Sequence, residues 1–143
     1  MADFIIAFRR TAAFEGGYVN DPDDNGGETY KGISRRANPN WVGWKIVDAY
    51  KKQKNFPKNL SANSELQELV SQCYKNNYWD KVWGDKINHQ KVANDMYDVA
   101  VNCGVAMSIK LSERQFGLKE TGRMSTELLN KLNSVIWKNL KSS

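Results

Sequence analysis

One stretch constrains this chain more than any other: FEGGYVNDPDDNGGET, residues 14–29. It carries five carboxylates, four glycines and no Lys or Arg. No apolar period of two or of 3.6 runs through it, so neither a buried strand nor an amphipathic helix can cross it unbroken. The residues before it behave differently. Phe4, Ile5, Phe8, Ala12 and Glu15 recur at helical spacing and share one face, which predicts a helix over 3–15. Gly16 and Gly17 then stop that helix, as glycine does just past a C-terminus.

Beyond the stretch the pattern returns to helices. Residues 43–54 form one candidate. Residues 64–79 form another, with Leu66, Leu69, Val70, Cys73 and Tyr74 inward and Asn63 or Ser64 as cap. A third, over 89–103, carries the stripe Val92, Ala93, Met96, Val99, Ala100 and Cys103, and Gly104 ends it. Two more are expected near 106–116 and 125–140. The reading is a mainly α fold, with residues 18–33 as an early turn-rich loop or small hairpin.

At 143 residues, 41% of them hydrophobic, the chain is long enough for one domain with a real core. The start, MADFIIAFRR, is no secretory signal, because Asp3, Arg9 and Arg10 interrupt a short apolar run. No segment approaches the roughly 18 apolar residues of a membrane span, so no stable membrane insertion is expected. Synthesis in the cytoplasm is the expectation. Cys73 and Cys103 make no disulfide framework and are spaced too far apart for a CxxC motif. The one histidine, His89, gives little support to a zinc site and reads as a residue flanking a helix. Charge is uneven: residues 104–143 hold seven Lys/Arg against three Asp/Glu, in a chain of net charge +5. Such a patch suits either solvent or a polyanion. No helix-turn-helix signature supports nucleic acid as that partner.

Three readings compete for the acidic stretch. Asp, Asn, Gly and Pro build turns, which accounts for most of its composition but not for Glu15 on a helix face. Asp21, Asp23, Asn25 and Gly26 match the first half of a calcium loop. The bidentate Glu required at the twelfth position is Gly32, so no metal is expected. The third reading is a glycosidase, which needs two carboxyl groups in unlike environments. Glu15, at the C-terminal end of a half-apolar helix, would hold its proton. Asp24, nine residues on in a polar loop, would stay charged, and Thr29 would supply a hydroxyl beside it.

The motif EGGYVNDPDDNGGETYKGIS resembles the signature of glycoside hydrolase family 108, a group of N-acetylmuramidase-like proteins. The matching residues are Glu15 to Tyr18, Asp21 to Asp24, Gly26 to Thr29, and Gly32-Ile33. YDVAVNCG, Tyr97 to Gly104, resembles the family's Asp-x-Ala-Val-Asn-x-Gly helix, and Tyr78-Trp79 its YW pair. The tail SERQFGLKETGRMSTELLNKLN resembles a shortened peptidoglycan-binding region. This resemblance implies a lysozyme-like helical domain, with residues 1–104 catalytic and 105–143 wall-binding, packed as one domain. It implies a monomeric enzyme without a cofactor that acts at the bacterial wall or periplasm after release or export. Its substrate would be peptidoglycan glycan strands, cut at the β-1,4 bond after N-acetylmuramic acid, with Glu15 as acid.

The related lysozyme pattern Glu-x8-Asp-x5-Thr is one residue longer than Glu15-x8-Asp24-x4-Thr29, which leaves Asp23 and Asp24 both open as second carboxylate. Tyr18, Tyr78, Trp79 and Trp83 could line a sugar cleft or fill the core. Asn102 could bond an N-acetyl group or the backbone, and Asp98 reads as a buried structural residue. A non-catalytic wall-binding protein of the same fold is the rival reading.

Overall fold

The computed structural model describes residues 1–12, 17–23 and 27–134. Six α-helices and one three-stranded antiparallel sheet occur among them. This is the mainly α architecture that the helical periods predict, and it is consistent with the lysozyme-like fold that the resemblance implies. No helix among the described residues is long and apolar enough to cross a membrane. The chain folds as two compact units, Phe14–Cys73 and Met1–Ala13 with Tyr74–Ser143.

The first unit holds the sheet: β1 (Tyr18–Asn20), β2 (Glu28–Tyr30) and β3 (Ile33–Ser34). Strands β2 and β3 are joined by Lys31 and Gly32, with φ of 47° and 83°. Two consecutive left-handed residues make the tight hairpin turn whose twist suits paired strands. Glycine adopts that geometry freely, whereas lysine does so at some cost. The Lys31 backbone N–H donates to the Gly17 carbonyl at 3.1 Å, which ties the turn to the start of β1. Helix α2 (Gly43–Tyr50) follows, then a 3-10 turn over Lys58–Ala62, then α3 (Ser64–Tyr74). Asn63 caps α3, accepting the Leu66 N–H at 2.8 Å. Its amide also donates to the Tyr50 hydroxyl at 2.8 Å, linking the cap to α2. Trp44, Val47, Leu60, Leu66 and Val70 are buried here.

The second unit is helical: α1 (Phe4–Ala12), α4 (Gln90–Cys103), α5 (Val105–Gln115) and α6 (Thr126–Ser134). A π-helical turn, Lys75–Trp79, precedes two 3-10 turns. Helices α1 and α5 both pack on α4. Gly104 sits between α4 and α5 at φ 101°, a conformation that only glycine takes without strain. The core is aromatic: Phe4 lies 5.7 Å from Trp79 and 5.8 Å from Tyr97, ring centre to ring centre. Such pairs add about 1 kcal/mol each beyond the area they bury.

The buried face of α1 differs from the one expected. Phe4, Ala7 and Thr11 are buried, while Ile5 and Ala12 are exposed. Positions 4-7-11 and 4-8-12 both satisfy the helical period. Phe8 favoured the second set, but it is Ala7 and Thr11 that the structure buries. The Thr11 hydroxyl donates to Asp98 of α4 at 3.1 Å.

After α5 a buried carboxylate organises the next turn. Glu113 is 3% exposed and accepts three bonds, from the Thr121 N–H (2.8 Å), the Thr121 hydroxyl (2.7 Å) and the Gly122 N–H (2.9 Å). Burial pushes this carboxyl up, but the three donors outweigh it and hold it below its ordinary value.

Candidate active site

The site residues read from the sequence fall in both units. Glu15 and Asp24 lie outside the described residues. Thr29, Tyr18 and Asp23 belong to the Phe14–Cys73 unit, and Thr29 is the central residue of β2. Its register partners are Val19 on β1 and Ser34 on β3. Side chains alternate along a strand, so Thr29, Val19 and Ser34 share one face. Val19 is 50% exposed and Thr29 is half-buried, so this face is open enough to meet a ligand. Asp23 is exposed and closes a local turn, its N–H donating to Asp21 Oδ1 at 2.9 Å. That is the turn chemistry expected of an Asp-Pro-Asp run.

Tyr18, Glu28 and Tyr30 occupy the opposite face of the sheet. Tyr18 is therefore not beside Thr29, as a shared sugar cleft would need. Its hydroxyl donates to Glu28 at 2.6 Å, and its ring meets Phe56 edge-on at 4.8 Å. Glu28 is the centre of a polar network that the sequence reading missed. Its side chain is 12% exposed and pairs with Arg35 at 3.0 Å and Lys51 at 2.5 Å. Arg35 reaches on to Asp48 of α2 through both guanidinium nitrogens, at 2.8 and 2.7 Å, and lies 5.1 Å from the Trp44 ring. Two forked bonds hold a carboxylate in a fixed plane. The network thus clamps β2 to α2 from one face and fixes the height at which Thr29 stands on the other. The strand alternation Glu28-Thr29-Tyr30 was the available signal; nothing in local spacing pointed to Arg35 or Lys51.

These charges make a pH prediction. The Arg35 hydrogen bonds lower the Asp48 carboxyl to about 2. For Glu28, burial raises the carboxyl, but bonds from Lys51, Tyr18 and Arg35 outweigh it, so the net shift is downward. A depressed carboxyl stabilises the fold above its unfolded value and loses that contribution as protons bind in the folded state. The loss attributable to Asp48 therefore falls between about pH 4 and about pH 2. Its side chain is 45% exposed, so solvent screening keeps the effect modest. Melting temperature measured against pH should drop over that window. The drop should be smaller in Asp48→Asn, which has no carboxyl to protonate; equal drops in both proteins would rule out this pair as the cause.

Tyr78, Trp79 and Asn102 belong to the second unit. Trp79 corrects the sugar-facing expectation: it is 0% exposed, and its indole N–H donates to Asp85 at 2.8 Å. A ring with no exposed surface has no face to offer a pyranose. Tyr78 is half-buried and stacks on Tyr74 at 5.6 Å, and Trp83 is also half-buried. Asn102 is exposed, and its amide donates to the Asp98 carbonyl at 2.8 Å, within its own helix. Asp98 makes the structural bonds expected of it, but from an exposed rather than a buried position. His89 flanks the N-terminus of α4.

The hairpin that displays Thr29 belongs to a sequence with a counterpart among known proteins. The Glycosyl hydrolase 108 family model matches residues 8–104, more than half of the chain. The chain belongs to glycosyl hydrolase family 108. A solved structure, "Structure of Brucella abortus SagA", matches 93% of this chain and 70% of its own, at 26% identity and a TM-score of 0.62. No curated protein matches it in sequence. Membership makes the chain a glycoside hydrolase and supports peptidoglycan hydrolysis as its general activity.

Proposed function

We propose that this family 108 chain is an N-acetylmuramidase. It cleaves the β-1,4 bond between N-acetylmuramic acid and N-acetylglucosamine in peptidoglycan glycan strands. The observation that carries the reading is the span of the family match. Residues 8–104 contain Glu15, the Asp23-Asp24 pair, Thr29 and the helix that ends at Gly104. Glu15 gives its proton to the leaving oxygen. Asp24, or Asp23 beside it, stays ionised to stabilise positive charge on the sugar or to activate water. Thr29 orients a water or a sugar group from its open face of the hairpin. The enzyme works as a monomer at the bacterial wall, and the basic residues of 105–143 favour adhesion to that anionic surface.

Mass spectrometry of purified sacculi digested with the protein tests the reading. New reducing ends of N-acetylmuramic acid are the expected product. Reducing ends of N-acetylglucosamine would overturn the bond assignment. Retention on sacculi with no new ends would leave a wall-binding protein in place of an enzyme.

A further inference from the structure

The hairpin that carries Thr29 is short. Three register pairs join β1 to β2, and two join β2 to β3. So little pairing specifies register weakly, and a slip by one residue turns every side chain to the other face. Such a slip would take Thr29 off its open face and put Glu28 there. The Thr29 hydroxyl makes no hydrogen bond with another described residue. A threonine side chain is also stiff, so the hydroxyl goes where the strand puts it.

The two ends of the hairpin are held differently. At the turn end, Tyr30 and Ile33 are register partners, and both are buried. At the other end, the last pair before residues 21–27 is Asn20 with Glu28. Asn20 is exposed, so the fastening of this end falls to Glu28.

Glu28 is fastened from three directions. The Tyr18 hydroxyl on β1 donates to it at 2.6 Å, Arg35 just past β3 at 3.0 Å, and Lys51 just past α2 at 2.5 Å. The Arg35 backbone N–H also donates to the Glu28 carbonyl at 2.9 Å. Arg35 and Lys51 both bind Asp48 as well, so neither cation is free to follow a moving strand. A slip would bring Gly27 or Thr29 opposite these two cations, and neither carries a charge to answer them. The charge-assisted bonds, the strong ones of the hairpin, exist in one register alone. Ion pairs taken out of water add little net stability, because desolvation offsets their attraction; fixing register is their best-attested use.

We propose that Glu28 is a positioning residue: its carboxylate locks the hairpin register that keeps Thr29 on the open face, where the reaction needs it. The catalytic consequence rests on the hydrolase reading; the register lock rests on the geometry of the hairpin.

The test compares the full chain with Glu28→Ala, Glu28→Gln, Thr29→Ala and the double variant Glu28→Ala with Thr29→Ala. For release of reducing ends from sacculi, kcat should fall about tenfold or more in Glu28→Ala, as for a misplaced reacting group. Glu28→Gln keeps the shape and an acceptor oxygen, so its loss should be smaller. KM should stay near the native value in both. The double variant should be no slower than Thr29→Ala alone, because nothing is left to position. Losses that add in the double variant, or a native rate in Thr29→Ala, would overturn the proposal. Relaxation dispersion at the Thr29 amide of ¹⁵N-labelled chains reads the lock without any activity. Exchange is expected in Glu28→Ala and not in the native chain; its absence from both overturns the lock. Should Glu28→Ala not fold, Glu28→Gln carries the same measurements with the same signs. A native chain that releases no reducing ends, yet gains exchange on loss of Glu28, would remove the hydrolase reading and leave the register lock standing.

Discussion

Glu15→Gln is expected to slow glycan-strand cleavage by about 10²–10⁴-fold, the range typical for loss of a positioned general acid. The amide has the shape of the acid but no proton to give. Without that proton the leaving sugar oxygen must depart as an alkoxide, and the oxocarbenium-like transition state loses its counter-movement of charge. Substrate binding uses many other contacts, so the loss should appear in kcat far more than in KM. The neighbouring acids provide the comparison. Asp23→Asn and Asp24→Asn differ by one position, and the family-like spacing to Thr29 is one residue short of the longer lysozyme pattern. Whichever of the two substitutions costs more activity identifies the second carboxylate. Reducing-sugar release from sacculi, with the circular dichroism spectrum as a check on folding, measures all three. Native rates in Glu15→Gln would remove the proposed mechanism.

The helices were legible because their apolar periods are long. The expected spans 64–79 and 89–103 correspond to α3 with its π-helical extension, and to α4. Asn63 and Gly104 were legible as cap and stop because each acts on backbone a few residues away. Long-range features were not. Glu28 is bonded to residues 7 and 23 positions on, Arg35 and Lys51, and no periodic signal joins a strand residue to a distant helix. Tyr97 was absent from the expected stripe of α4, yet it is 1% exposed because the ring of Phe4 meets it from α1. The same limit applies to Trp79. An aromatic beside a tyrosine looks alike in sequence whether it faces a sugar or a core, and only the surrounding shell decides. The family was legible as a motif, because the run from Glu15 to Ile33 lies within the residues that its model matches. Which residues share a face of the hairpin was not, because that depends on strand register.

The buried position of Trp79 leads to the largest expected effect on stability. Gly84→Ala should cost about 3 kcal/mol, near the upper end for overpacking a filled core. A Cβ at Gly84 would penetrate the indole of Trp79 at Cδ2, Cε2 and Cζ2. The indole has nowhere to go. It is fully buried, its N–H is bonded to Asp85, and Phe4 and Tyr97 stand 5.7 and 6.0 Å from it. The backbone at Gly84 is constrained as well, since its carbonyl accepts the Ile87 N–H at 3.2 Å in a 3-10 turn. For a chain of this length, 3 kcal/mol lowers the melting temperature by roughly 10 °C. Gly43 offers a matched control. A Cβ there would also strike a tryptophan, at the far end of the Trp41 ring. Trp41 is only half-buried, so its ring can swing toward solvent, and Gly43→Ala should cost far less. Thermal unfolding of the two variants side by side tests the argument. Equal losses would show that Trp79 can move aside, and that the core of the helical unit is looser than its aromatic contacts imply.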